Sequence, residues 1–381
     1  MNIHREPGNA LVLNVGSASL KAATYVVRAD AQGERTSARE CERTSVESTH
    51  DASINLDDSA HEELSSVAMR LGLLRDAPKI IIHRIVHGGD RLGPVPLTPA
   101  TLVELDDLAP LAPLHQPPAL ALVRAAMQRW PDSRQIGVFD TSWHQTMPEK
   151  YRVFPLPYAL FERGVKRYGF HGLAFQSAMR QLEQVPELAN GRIVLAHLGG
   201  GSSLCAVREG TSINTTMGMT PLGGVPMATR PGSLDPGVLL HLLRSFGMAA
   251  DQIDRMLWRE SGLNGLSGES GDMRELMASN SKGANRAVDV YVAGIVQGIA
   301  AMAGCIQGID ALAFSGGIGT HAPAIRARVV ADLEWMGLGI DADKNHAGAW
   351  EISSPAATGR TFVLPIDEER EMVDAIMALH P

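Results

Sequence analysis

Cysteine is scarce in this 381-residue chain. The three that occur, Cys41, Cys205 and Cys305, are odd in number and widely separated. They outline neither a disulfide framework nor a CxxC metal knuckle, so a reducing, cytoplasmic setting is expected. Basic charge is also in deficit: 34 Lys and Arg stand against 42 acidic residues, a net charge of -8. A general nucleic-acid binder needs a basic face to replace counterions on phosphates, so nucleic acid is not an expected partner. A local arginine cluster can still receive an anionic substrate. Long hydrophobic runs are missing too. Residues 1–10 are polar without an apolar signal segment, and the most membrane-like stretch, 290–306, is short, holds Gln297 and follows Asp289. It reads as a buried helix rich in Gly and Ala, and no membrane association is expected. Two nucleotide signatures are absent. There is no Gly-x-x-x-x-Gly-Lys-Ser/Thr run and no GxGxxG opening a helix, which disfavours P-loop and dinucleotide-binding folds.

What is present is an ordinary globular balance, 45% hydrophobic and 20% charged, in a length that suits two domains. Apolar runs predict strands over 10–15, 21–27, 79–86, 135–139, 192–198, 203–207 and 361–364. Helical spacing is expected over 59–74, 119–130, 235–246, 285–306, 322–336 and 367–379, while 29–58 reads as a polar, peripheral hairpin or loop region. Parallel crossovers interrupted by antiparallel hairpins indicate an α/β protein with mixed sheets and two similar domains. The turns over 16–20 and 201–204 are alike enough to suggest an old duplication.

Three glycine-rich segments follow strands: 14–19, 199–203 and 315–319. Glycine lets backbone N–H groups close around phosphate oxygens, and serine adds neutral donors; an ordinary hairpin turn is the alternative. Arg84 lies in an apolar strand ending at Gly88 and Gly89, and Arg230 stands between Thr229 and Pro231. Either guanidinium suits a carboxylate or phosphoryl group, or else a surface ion pair. His171, flanked by Gly169 and Gly172, is a ligand donor or a satisfied core histidine. Asp140 ends a strand, where its side chain would project into a cleft. Glu368 follows the last strand, as a magnesium carboxylate or a helix-start acid. Asp272 is a candidate binding residue or a helix N-cap.

Taken together, these segments resemble the acetate kinase family of the actin-like, heat-shock-ATPase and sugar-kinase superfamily. The carriers are NVGSASLK over 14–21, HRIVHGG over 83–89, APLHQ over 112–116, VFDTSWHQTMP over 138–148 and RYGFHG over 167–172. HLG over 197–199, MGMTP over 217–221, DMR over 272–274 and GIG over 317–319 continue the same order. The resemblance runs from Asn14 to about Asp374 and implies reversible phosphoryl transfer between ATP and a short carboxylate. It implies two similar actin-like (ribonuclease H-like) domains with mixed sheets flanked by helices, and an active site in the interdomain cleft. The domains expected are 1–155, completed by the helix 370–381, and 156–369.

The resemblance also implies roles. Arg84, Asp140, His171 and Arg230 form the catalytic set; Asn14 and Glu368 serve Mg²⁺ or Mn²⁺; and Val86, Leu114, Phe170 and Pro221 receive the acyl methyl. Ser17, Ser19, Lys21, His197, Gly199, Gly200 and Gly201 line the phosphate path of ATP or ADP, with Asp272, Met273, Arg274, Gly317, Ile318 and Gly319 around the nucleotide. A homodimer is implied as well. The chain departs from the family pattern at Ala18, Phe175, Gly200, Thr320 and His321, which bears on the phosphoryl donor. The rivals are a propionate or butyrate kinase, a nucleotide-driven switch acting on protein partners, and a weakened regulatory paralogue.

Overall fold

The computed structural model describes residues 8–16, 19–29, 36–47, 56–74 and 76–378. Its contacts group the chain into two units. The first takes residues 1–145 together with 367–381, and the second takes 146–366.

In the first unit β1 (Gly8–Val15), β2 (Ser19–Ala29) and β3 (Thr36–Glu47) run antiparallel to one another. β4 (Ile80–Ile85) and then β6 (Arg134–Phe139) continue the sheet in parallel from β1, and the two-residue β5 (Val95–Pro96) closes that edge. The order is β3-β2-β1-β4-β6-β5. β4 reads IIIHRI and is buried on both faces, as a strand with parallel neighbours and covered faces must be. The helices Leu56–Arg70 and Gln116–Arg129 pack together, and Leu64, Val67, Leu122 and Trp130 join Leu11 and Leu13 in one core. The helix Glu368–Met377 returns from the far end of the chain to pack on β1, β3 and β4.

The polar stretch predicted as a peripheral hairpin or loop holds a 12-residue strand, β3. Backbone ladder bonds need no apolar side chain. An edge strand whose side chains meet water therefore carries no hydrophobic signature. Residues 30–35 and 48–55 of that stretch lie outside the described residues.

The second unit repeats the plan. β7 (Arg192–Leu198), β8 (Ser202–Arg208) and β9 (Thr211–Thr215) are antiparallel; β10 (Ala311–Ser315) and β11 (Arg360–Val363) follow in parallel from β7. Its order, β9-β8-β7-β10-β11, matches β3-β2-β1-β4-β6 of the first sheet, strand type for strand type, and among the described residues nothing corresponds to β5. Two similar mixed-sheet units flanked by helices are what the sequence predicts.

The crossover helix Lys282–Cys305 packs on β7, β8 and β9, and Ser281 caps it by accepting from the Ala284 N–H. By length and composition it is the one described helix that would suffice to cross a bilayer. Its core side, Ala284, Val288, Tyr291, Ile295 and Ile299, lies against the sheet instead. The helix predicted as buried is buried on one side only: Val290 is 41% exposed and Gln297 also faces out. The period places only one side of a helix on a sheet, and Ala and Gly on the other side cost little in water.

Candidate active site

In the first unit, neighbouring parallel strands bring their C-terminal ends together, and each end supplies one polar side chain. Asn14 comes from β1, where it pairs across the ladder with Lys21; Arg84 comes from β4, and Asp140 follows β6. Arg84 Nε donates to Asp140 Oδ1 at 3.0 Å and its Nη2 to Oδ2 at 2.7 Å, a two-pronged fork on a carboxylate. Nη1 donates to Asn14 Oδ1 and to Glu368 Oε2, each at 3.0 Å. Four of the five guanidinium N–H groups are thereby engaged. Burial alone would lower the Arg84 pKa, but Asp140 and Glu368 more than offset it, so the group stays cationic.

Glu368 and Glu369 open the helix Glu368–Met377, which Asp367 caps by accepting from Arg370 N–H. Asn14 Nδ2 donates to Glu368 Oε2 at 2.9 Å and to Glu369 Oε1 at 2.6 Å. The helix-start alternative for Glu368 and its functional alternative thus describe one placement. Asp140, expected to project into a cleft, is instead 1% exposed with its carboxylate closed on Arg84. The isolated acid pattern gives no sign of this partner, because it sits 56 residues away in the chain.

The second unit gathers another set. His171 adopts a left-handed backbone (φ 60°) at the N-cap of the helix Gly172–Leu182, and Gly169 just before it also has positive φ. A left-handed histidine is strained, and such strain concentrates at functional sites. Its Nδ1 lies 2.8 Å from Ser203 Oγ, and its ring tilts over His197 at 4.7 Å between centroids. Arg230 is 7% exposed and donates from Nη1 to Pro221 O at 2.8 Å; among the described residues no carboxylate pairs with it. Burial pulls its pKa down to about 10.

Gly201 explains how these groups converge. A Cβ there would lie 2.8 Å from Arg230 Nη2 and 3.3 Å from His171 Nε2, so only glycine leaves both in place. The second and third glycine segments are adjacent, since β7 and β10 are parallel neighbours with His197 opposite Ser315. His197 Nδ1 is 3.2 Å from Ser315 Oγ, and a Cβ on Gly199 would sit 3.7 Å from Gly317 N. The third segment, predicted as a loop, opens the short helix Gly316–His321 with Ser315 as N-cap. Gly316 allows it: φ is 77°, and a Cβ would meet Leu198 O at 2.6 Å. Phe175 is fully buried, with its ring at 79° to that of His197 and 6.4 Å between centroids.

Asp272 caps the helix Met273–Ala278 through Arg274 N–H, and the Arg274 side chain holds its pKa down to about 2. The N-cap alternative therefore describes its place. Its neighbour Gly271 packs on Ala228, whose N–H donates to Gly200 O, so the segment abuts the glycine turn. Met273 is buried, while Arg274 and Gly200 are exposed. Ile318 is half-buried and Gly319 buried in the helix after β10.

Of the remaining residues, Val86 (buried) and Leu114 (half-buried) belong to the first unit, and Phe170 and Pro221, both buried, to the second. Lys21 is exposed, Ser19 half-buried, and Ser17 lies outside the described residues. The structure therefore assembles Asn14, Arg84, Asp140 and Glu368 in one unit. It assembles His171, His197, Arg230 and the two glycine segments in the other. Sequence reasoning missed two partners, Glu369 and Ser203. A doubled acid at 368–369 and a doubled serine at 202–203 were the available signals.

The Acetokinase family model matches residues 9–374. The acetate kinase of Methylocella silvestris is 45% identical over 299 residues, covering 78% of this chain and 74% of that protein. The acetate kinase structure from Porphyromonas gingivalis is similar at a TM-score of 0.78 and 32% identity, covering 98% of this chain and 99% of that one. A propionate kinase structure from Francisella tularensis subsp. tularensis gives 0.83 at 29% identity, covering 97% and 98% respectively. With a family match across nearly its whole length, the chain belongs to the acetokinase family, phosphotransferases whose acceptor is a carboxyl group.

Proposed function

We propose that the chain transfers the terminal phosphoryl group of ATP to the carboxylate of acetate, giving acetyl phosphate and ADP, and catalyses the reverse. The observation that carries this reading is the pairing of Arg230 with His171 on the Gly201 turn. A buried guanidinium held by one carbonyl, next to an imidazole nitrogen, is a site prepared for an anion.

The chemistry asks little else of the protein. An acetate oxygen forms the new P–O bond while the bond to the β-phosphate oxygen breaks, and that oxygen leaves with the electron pair. Acetate is already ionised at neutral pH, so no general base is required. In the loose transition state charge spreads over three equatorial oxygens. Arg230 and His171 Nε2 are assigned to those oxygens; this role requires the tautomer in which Nδ1, 2.8 Å from Ser203 Oγ, accepts and Nε2 carries the proton. Arg84, with four N–H groups engaged, is assigned to hold Asp140 and Glu368 charged and oriented, and it offers the substrate one further donor.

Val86, Leu114, Phe170 and Pro221 are assigned to the acyl methyl. Lys21, Ser17, Ser19, His197 and Gly199 to Gly201 are assigned to the phosphates. Asp272, Met273, Arg274 and Gly317 to Gly319 take the nucleoside. Mg²⁺ or Mn²⁺ is assigned to Glu368, with Asn14 beside it; when bound it would neutralise charge on the phosphates. A single partly exposed carboxylate suits this ion, which keeps most of its ligands as water and phosphate oxygens. A cytoplasmic homodimer is proposed on the family's pattern; the helix Pro236–Arg244 has no buried residue and exposes Val238, Leu240 and Leu243.

The test is acyl-phosphate formation from ATP, Mg²⁺ and acetate, propionate or butyrate, trapped with hydroxylamine. Acetate is expected to give the highest kcat/KM. A propionate optimum would favour the second reading, which the likeness to the propionate kinase structure keeps in view. No product with any acid would overturn both.

A further inference from the structure

We infer that Arg43 and Glu369 are positioning residues for the Asn14–Glu368 pair, acting from the edge strand of the first unit. The inference rests on the phosphoryl-transfer reading above.

Glu369 is 3% exposed and stands next in sequence to Glu368. A buried carboxylate needs a hydrogen-bond partner for each of its oxygens. Both have one: Oε1 accepts from Asn14 Nδ2 at 2.6 Å, and Oε2 accepts from Arg43 Nη1 at 2.9 Å. Arg43 lies on β3, opposite Ala23 of β2. Its Nη2 also donates to both Asp367 oxygens, at 3.0 and 2.9 Å. The guanidinium thus grips the residues on either side of Glu368, one the helix cap and the other the partner of Asn14.

The grip is itself braced. Arg43 Nε and Nη2 donate to Glu40, whose Oε2 also accepts from Tyr25 OH at 2.9 Å. Arg370 Nη1 adds a second tie from the helix to β3, donating to Ala38 O at 3.0 Å. A line of hydrogen bonds then runs Arg43–Glu369–Asn14–Arg84–Asp140. Without Arg43, Glu369 Oε2 would lose its donor and the carboxylate would be free to turn away, so Asn14 would lose the acceptor that orients its amide toward Glu368. The charged character of β3 gains a purpose from this: the strand supplies the counter-charge for the first turn of the C-terminal helix.

The experiment compares wild type with Arg43→Ala, Arg43→Lys and Glu369→Gln. Three readouts are taken: the Mg²⁺ concentration giving half-maximal rate, the KM for acetate, and Mn²⁺ binding in the presence of ADP by electron paramagnetic resonance. Arg43→Ala and Glu369→Gln are expected to weaken metal affinity on the order of 10-fold in both metal readouts. The acetate KM is expected to change less than about twofold, and Arg43→Lys to recover part of the loss, because lysine brings the charge without the fork. Active variants with unchanged metal dependence and unchanged Mn²⁺ binding would overturn the inference. A wild-type protein without turnover would overturn the phosphoryl-transfer reading itself.

Discussion

Arg84 and Asp140 meet through two parallel hydrogen bonds, with side-chain exposures of 12% and 1%. Removing one partner of such a pair leaves a buried charge uncompensated, at a cost of about 3–5 kcal/mol. Asp140→Asn keeps the shape but withdraws the charge, and Arg84→Lys keeps the charge but withdraws the fork. Both are expected to lower kcat by at least about 100-fold and to reduce the melting temperature. Steady-state kinetics with a thermal melt on each variant checks this; retention of wild-type turnover by either would refute the role given to the pair.

Gly201→Ala tests the other unit. The added methyl would press on Arg230 Nη2 and His171 Nε2, both of them side-chain ends able to yield. The fold is expected to absorb the change for about 1–3 kcal/mol. Displacing either donor by ~1 Å is expected to lower kcat by about 100-fold. A folded variant with unaltered kcat would show that neither donor acts from this position.

Arg230 also gives a pH signature. Burial holds its pKa down to about 10, so it is cationic at neutral pH and loses its charge as pH rises through that value. Anion binding needs the cation. The KM for ATP is therefore expected to be level from pH 7 to about pH 9, to double near pH 10, and to approach tenfold per pH unit only beyond about pH 11. Kinetics across that range, with circular dichroism to confirm folding, decides the matter; a level KM through about pH 10.5 would contradict it.

His83 predicts an effect on stability and none on chemistry. It is fully buried on β4, its Nε2 lies 2.8 Å from Gln135 Oε1, and burial lowers its pKa to about 4. The unfolded chain protonates this histidine near pH 6.5, whereas the folded chain does so only near pH 4. Its contribution is thus fully present above pH 6.5 and is lost as pH falls toward 4, amounting to about 3 kcal/mol. His83→Gln is expected to flatten that acid limb in urea titrations between pH 7 and 4, with the limb of the wild type as reference. An equally steep limb in the variant would place the acid lability elsewhere.

Much of this architecture is legible in the residues themselves. β4 and β7 are continuous apolar runs because both of their faces are covered, and the matching turns after β1 and β7 anticipate the repeated sheet order. Arg84 and Asp140 can be singled out because Arg84 lies in an apolar strand and Asp140 ends one, whereas Asn14 enters only through the family resemblance. β3 is legible only as one arm of a peripheral hairpin, with a loop as the alternative, because an exposed edge strand has no buried face to mark its bounds. Glu369 and Ser203 stayed hidden because each is chosen by a partner distant in sequence: Arg43, 326 residues away, and His171, 32 residues away. Local pattern carries strands and turns. It does not carry which donor finds which acceptor.

The central claim is that a phosphoryl group passes directly between a nucleotide and a carboxylate. Phosphorus NMR of the purified protein with acetyl phosphate, ADP and Mg²⁺ observes that transfer in one sample. Growth of the three ATP resonances as the acetyl phosphate signal declines, absent in Arg230→Ala, is the expected result. Release of inorganic phosphate alone, with no ATP at any time, would contradict the claim.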